Sequence, residues 1–129
     1  MATRFVGTYE CDASMEFKEA YLRCKKEDLV IIDSPVGLPG RAIQNQFLRD
    51  VSLGKKVPYV CSWHCLKTCD VESSPYCICI ALTNAKKGNL GKGFAFAGAN
   101  AYRVDSIISV KELIDILARE YEQAAAAGA

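Results

Sequence analysis

The chain has 129 residues, half of them hydrophobic and 24% charged, the balance of a soluble globular protein of about one domain. Sixteen Lys and Arg face fifteen Asp and Glu, and a net charge of +1 gives no electrostatic pull toward nucleic acid or anionic membrane. No apolar run nears the roughly 18 residues of a membrane span, and Met1 to Glu10 lack the order of a signal peptide, so a cytoplasmic protein is expected.

Taken in chain order, residues 12 to 26 read as a helix. Asp12 or Ser14 caps it, and Phe17, Ala20, Tyr21 and Cys24 share one face. Leu29-Val30-Ile31-Ile32 is a continuous apolar run, the pattern of a strand covered on both faces in a parallel sheet or barrel. The Pro- and Gly-rich stretch Pro35 to Arg41 reads as a shaped loop, either a lid over a ligand or a fixed turn. A helix is expected from Ala42 to Leu53, with Phe47, Leu48 and Val51 buried and Gly54 as its stop.

Residues 55 to 73 show little periodicity. Ser74-Pro75 then has the form of a helix start, and the helix that follows is apolar around most of its circumference up to Gly88. Gly91 and Gly93 precede a short extended segment, Phe94 to Ala97, which the turn Gly98-Ala99-Asn100-Ala101 leaves. The last helix is the best marked. Ser109 and Glu112 form a capping box, and Val110, Leu113, Ile114, Leu117 and Tyr121 make one apolar face, with fraying expected over residues 124–129. Four helices and two strands result. Two strands cannot make the sheet that a doubly buried strand implies, so further strands must come from elsewhere.

Seven cysteines are many for this length, and five lie between Cys61 and Cys79. An odd number without an export signal points to thiols rather than a disulfide scaffold. Cys61, Cys65, Cys69 and Cys77 are candidate ligands of zinc or an iron–sulfur cluster, with Cys79 and His64 beside them. In a helix, Cys61 and Cys69 would lie about 12 Å apart along the axis. Sulfurs sharing one zinc lie about 4 Å apart, so a metal site needs a loop. The spacing matches neither a standard zinc finger nor the common ferredoxin run. Metal binding, redox chemistry and plain packing of small apolar thiols all remain open. The lysine doublets at 25–26, 55–56 and 86–87 are scattered and read as solvated surface.

Several segments together resemble the C-terminal part of the nitronate monooxygenase family, formerly 2-nitropropane dioxygenases. They are Met1-Ala2-Thr3-Arg4-Phe5, Glu10-Cys11-Asp12-Ala13, Ser34 to Ala42, Cys65 to Asp70, Pro75 to Ile78 and Phe94 to Arg103, in the family's order. The resemblance implies a (β/α)8 TIM-type barrel that binds FMN at the C-terminal ends of its strands. It also implies oxidation of alkyl nitronates by O2 to carbonyl compounds and nitrite, although the family includes a flavin-dependent enoyl reductase of fatty acid synthesis as well.

In such a barrel the segment holding Ala2 and Thr3 follows a late strand and helps grip the FMN phosphate. Gly98 and Asn100 are further candidates for contact with flavin or substrate. The reading is thus an α/β C-terminal barrel fragment with a Cys-containing, mostly helical tail. Residues 1–54 would be the last part of the barrel, 55–123 the Cys-rich loop and helical segment, and 124–129 a frayed end. Met1 matches an internal methionine of the family, which implies a truncated reading frame or an excised piece whose partner is the missing N-terminal barrel segment. The catalytic base would lie in that segment. His64 does not match it, no catalytic residue is assigned, and the chain alone is expected to be inactive.

Overall fold

The computed structural model describes residues 2–128. A short helix, α1 (Ala2–Val6), leads through Gly7 and Thr8 into α2 (Met15–Leu22). Ser14 caps α2, its Oγ accepting from the Phe17 N–H at 3.3 Å. Asp12 is instead ion-paired with Lys86 at 2.7 Å. The helix is shorter than residues 12–26 would suggest, because Arg23 already ends it and Lys26–Asp28 form a separate 3₁₀ turn.

Strands β1 (Leu29–Asp33) and β2 (Pro39–Ile43) form an antiparallel hairpin, with Leu29 opposite Ile43 and Asp33 opposite Pro39. Of the stretch read as lid or turn, residues 35–38 form the turn of this hairpin, whereas Pro39, Gly40 and Arg41 already belong to strand β2, paired with Asp33, Ile32 and Ile31. The Gly37 N–H donates to the Ser34 carbonyl at 3.0 Å, and Gly37 takes φ +80°, a conformation glycine adopts without steric cost. The expected helix from Ala42 begins only at Gln46, as α3 (Gln46–Ser52), capped by Asn45.

Ala42 and Ile43 stay extended because a third segment pairs with them. The Ile43 N–H donates to the Ala95 carbonyl at 3.0 Å, and the Ala97 N–H to the Arg41 carbonyl at 2.9 Å. The parallel, doubly covered strand is thereby corrected: β1 is antiparallel and lies at an edge among the described residues. Ile31 on it is 63% exposed.

Period-2 alternation in β2 and in residues 94–97 divides the core between two faces. Ala42 and Phe94 join Phe47, Leu48, Tyr76 and Ala81 on one side. Ile43 and Ala95 join Tyr21, Cys24 and Ala101 on the other. Burial pushes the Tyr21 and Tyr76 phenols up to about 12.

Helix α4 (Ile78–Lys86) starts after the expected Ser74-Pro75. Ser74 turns back, its hydroxyl donating to the Asp70 carbonyl at 2.5 Å, so it closes the preceding turn instead of capping. Nor is α4 buried all round; only Ala81 and Ala85 are fully covered. Helix α5 (Val110–Ala127) carries the capping box as read, with the Glu112 N–H on Ser109 Oγ at 3.1 Å and the Ser109 N–H on Glu112 Oε2 at 2.9 Å. It continues through the alanine run where fraying was expected, alanine being the best helix former. Of its apolar face Leu113 is buried, while Ile114 and Tyr121 are exposed. No helix among the described residues is long and apolar enough to cross a membrane.

Lys18 is only 4% exposed, and its ammonium donates to the carbonyls of Thr8 at 2.7 Å and Tyr9 at 3.4 Å. Those bonds tie α2 to the chain leaving α1, which the Thr8–Ile108 bridge also fixes. Lys18→Met keeps the aliphatic stem but strips a buried carbonyl of its donor. A loss of about 1–3 kcal/mol is expected, read as a lower urea midpoint at unchanged slope.

Candidate functional site

Three anchors hold α1. Lys18 fixes its exit, the Ile108 N–H donates to the Gly7 carbonyl at 3.1 Å, and the Arg4 guanidinium bonds the Glu120 carboxylate at 2.5 Å. The last pair raises Arg4, and the Arg4 hydrogen bond lowers Glu120, with burial opposing both shifts. It is a half-exposed pair of modest worth that links α1 to α5.

Opposite α1 stands the turn after residues 94–97. Ala101 is fully buried, and its N–H donates to the Gly98 carbonyl at 3.1 Å, which pins the turn to the core. The Gly98 N–H then donates to Thr3 Oγ1 at 2.9 Å. A Cβ at Gly98 would stand 2.9 Å from that same oxygen, so a side chain there would press on the Thr3 hydroxyl and displace it.

The structure thus brings Thr3 and Gly98 together. It does not unite all four residues expected at a cofactor. Ala2 is exposed and lines a shallow hollow with Phe5, Thr8 and Cys11. Asn100 lines a different cavity, of about 380 Å³, with Arg4, Arg103, Asp105 and Glu120.

Chemically, the Thr3 hydroxyl accepts from Gly98 and keeps its own proton to donate. The N–H groups in the first turn of α1 have no acceptor within the helix. The Thr3 hydroxyl is thus a neutral donor of the kind a phosphate oxygen accepts from, while Arg4 is already engaged by Glu120.

The cysteine region is arranged differently from the ligand quartet that the spacing suggested. Cys61, Cys65, Cys69 and Cys77, with His64 and Cys79, border one small cavity of about 50 Å³. Yet no three His, Cys, Asp or Glu side chains converge on a metal-sized point among the described residues. Cys69 instead lies 3.9 Å from the Ser74 hydroxyl. The sulfur–sulfur contact is Cys65 Sγ to Cys79 Sγ at 3.6 Å, and all seven cysteines are free.

Hydrogen bonding to Cys65, followed by burial, holds the Cys79 thiol above its ordinary range. The loop is held against the hairpin turn, where Thr68 Oγ1 donates to the Val36 carbonyl at 2.9 Å. His64 belongs to this loop and takes φ +42°. Sequence reasoning missed Cys79 as the contacting sulfur and Lys18 as an anchor. Nothing in residue type or spacing marks either.

Hairpin, flanking helices and buried extended segment define an α/β chain, and solved structures share that arrangement. FabK from Thermotoga maritima matches 95% of this chain with a TM-score of 0.74 at 22% identity. A point mutant of the same protein matches 95% with a TM-score of 0.68, also at 22% identity. The chain spans 36% and 32% of the length of those two proteins. No curated protein matches. The nitronate monooxygenase family model matches residues 1–120, and the chain belongs to that family.

Proposed function

We propose that these residues are the C-terminal portion of a cytoplasmic, FMN-dependent (β/α)8 oxidoreductase that converts a nitronate and O2 to a carbonyl compound and nitrite. Family membership supports the reaction class. The observation that carries the site is the Thr3–Gly98 hydrogen bond, which joins two segments 95 residues apart at one small-residue surface.

When bound, FMN supplies the ring that takes electrons from the nitronate and passes them to oxygen. The chain's own residues do the holding. Thr3 donates its hydroxyl proton to a phosphate oxygen, and the Gly98 N–H fixes where that hydroxyl points. Lys18 positions the helix that carries Thr3. The remaining barrel strands and the base come from a further barrel segment. The exposed side chains of Ile31 and Phe96 offer that segment apolar edge surface.

The test is reconstitution. The chain is co-expressed with the N-terminal barrel portion of a family member, and FMN binding is followed by quenching of flavin fluorescence. Thr3→Val should weaken FMN binding about tenfold or more, the worth of one charge-assisted hydrogen bond, and Thr3→Ser should restore it. Equal affinity in all three proteins overturns the phosphate role. The chain alone with added FMN should not turn over a nitronate. Reconstituted protein that reduces an enoyl thioester with NAD(P)H, and ignores nitronates, would move the reaction to the enoyl-reductase branch.

A further inference from the structure

The cysteine loop contains one pair placed differently from the rest. Cys65 Sγ and Cys79 Sγ are 3.6 Å apart, whereas a disulfide bond is about 2.05 Å long. The gap that remains is within reach of side-chain rotation and a small shift of the loop. Cys79 stands in the first turn of α4, a regular helix. Cys65 stands on residues 61–77, which contain no helix or strand. One partner is therefore carried on a helix and the other on irregular backbone.

The two sulfurs also sit on the boundary between two spaces. Inward lies the small cavity bordered by Cys61, Cys69 and Cys77. Outward lies an open apolar pocket of about 340 Å³ lined by Trp63, Ile80, Thr83 and Asn84 as well as the pair itself. Cys65 is exposed and Cys79 is half-buried, so a reagent entering from solvent meets Cys65 first. His64, immediately before Cys65, holds a left-handed backbone conformation that a non-glycine residue adopts at a cost of about 1–3 kcal/mol, and this bend precedes the residue that faces α4.

We propose that Cys65 and Cys79 form a reversible disulfide that fastens the 61–77 loop to α4, with a small-molecule disulfide such as oxidised glutathione as the oxidant. The Cys65 thiolate attacks one sulfur of the oxidant, forming a mixed disulfide and releasing one thiol. The Cys79 thiolate then attacks the Cys65 sulfur and expels the second thiol. Two protein thiols become one disulfide, one small-molecule disulfide becomes two thiols, and two electrons pass between them. Cys65 is the entry point, because it is the accessible sulfur, and Cys79 resolves the adduct.

The experiment equilibrates the full chain in glutathione buffers from reducing to oxidising, quenches with acid, alkylates and determines mass. The oxidised chain should lose two hydrogens, carry no glutathione, and yield a cross-linked peptide pair containing Cys65 and Cys79. Trp63, the single tryptophan, should change its fluorescence in step and recover on reduction with dithiothreitol. Cys79→Ser should abolish the cross-link and leave glutathione on Cys65. Cys65→Ser should abolish both, with circular dichroism checking the fold of each variant.

Peptide mapping of the unsubstituted chain tests the pairing without relying on either variant. Cross-links that join mainly other cysteines overturn the proposal. So does a stable glutathione adduct on Cys65 in the unsubstituted chain, or stoichiometric zinc that blocks both thiols until it is chelated.

Discussion

Gly93→Ala is expected to lower the melting temperature by roughly 10 °C, the counterpart of about 3 kcal/mol in a domain of this size. Gly93 begins the buried extended segment and lies flat against α4. A methyl group there would overlap the Ala81 carbonyl oxygen, and would stand 2.8 Å from the Ala81 carbonyl carbon and 3.1 Å from the Ala85 N. These are backbone atoms of a helix, so no rotamer change relieves the contact. Either α4 or residues 93–97 must move, and both carry core side chains. Glycine is required here for lack of a Cβ, since its φ of −170° is ordinary extended backbone. Gly91→Ala is the control. The nearest atom to its added methyl is Asn89 Oδ1 at 4.0 Å, and its effect should stay within about 0.5 kcal/mol. Thermal unfolding followed by circular dichroism separates the two. Equal melting temperatures would mean that α4 and Gly93 are not in contact.

That contact shows where sequence reasoning stops. Local signals were legible: the Ser14 cap, the Ser109–Glu112 box, the run that became β1, and the extended nature of residues 94–97. Each depends on neighbours within a few positions. Local pattern places Ala42 and Ile43 in a helix, but their conformation is decided by hydrogen bonds between residues 41–43 and 95–97, far along the chain. Ser74-Pro75 has the chemistry of a helix start, but Asp70 claims the serine hydroxyl first.

The candidate site divides the same way. Thr3 and Gly98 were each marked out by resemblance to a family, while their meeting required the folded chain. The cysteine spacing suggested a quartet. It could not show that the residue omitted from that quartet, Cys79, is the one that touches Cys65.

Phe94→Ala should have the largest effect of any single truncation, about 3–5 kcal/mol. The ring has no exposed surface and is surrounded by aromatic neighbours. Phe47 stacks on it at 6.1 Å and 17°, while Tyr76 and Phe96 meet it edge-on at 5.9 Å and 5.0 Å. Phe47 comes from α3, Tyr76 from the residues leading into α4, and Phe96 from its own segment, so one deletion loosens three parts of the fold. Phe94→Leu retains most of the volume and loses only edge-to-face geometry and some shape match; about 1–2 kcal/mol is expected. Urea unfolding of both variants, with a cycle against Tyr76→Leu, isolates the aromatic pair, whose coupling should be about 0.5–1.5 kcal/mol. A Phe94→Ala loss below about 1 kcal/mol would place Phe94 outside the core. The consequence reaches the site. Phe94 anchors the segment that ends in Gly98, so the loosened variant should also bind FMN more weakly on reconstitution. Thr3→Val also strips the part-buried Gly98 N–H of its acceptor, so it should lower stability by about 1–2 kcal/mol, short of the Phe94→Ala loss, while weakening FMN binding about tenfold or more. Comparing the two variants separates a loss of fold from a loss of grip.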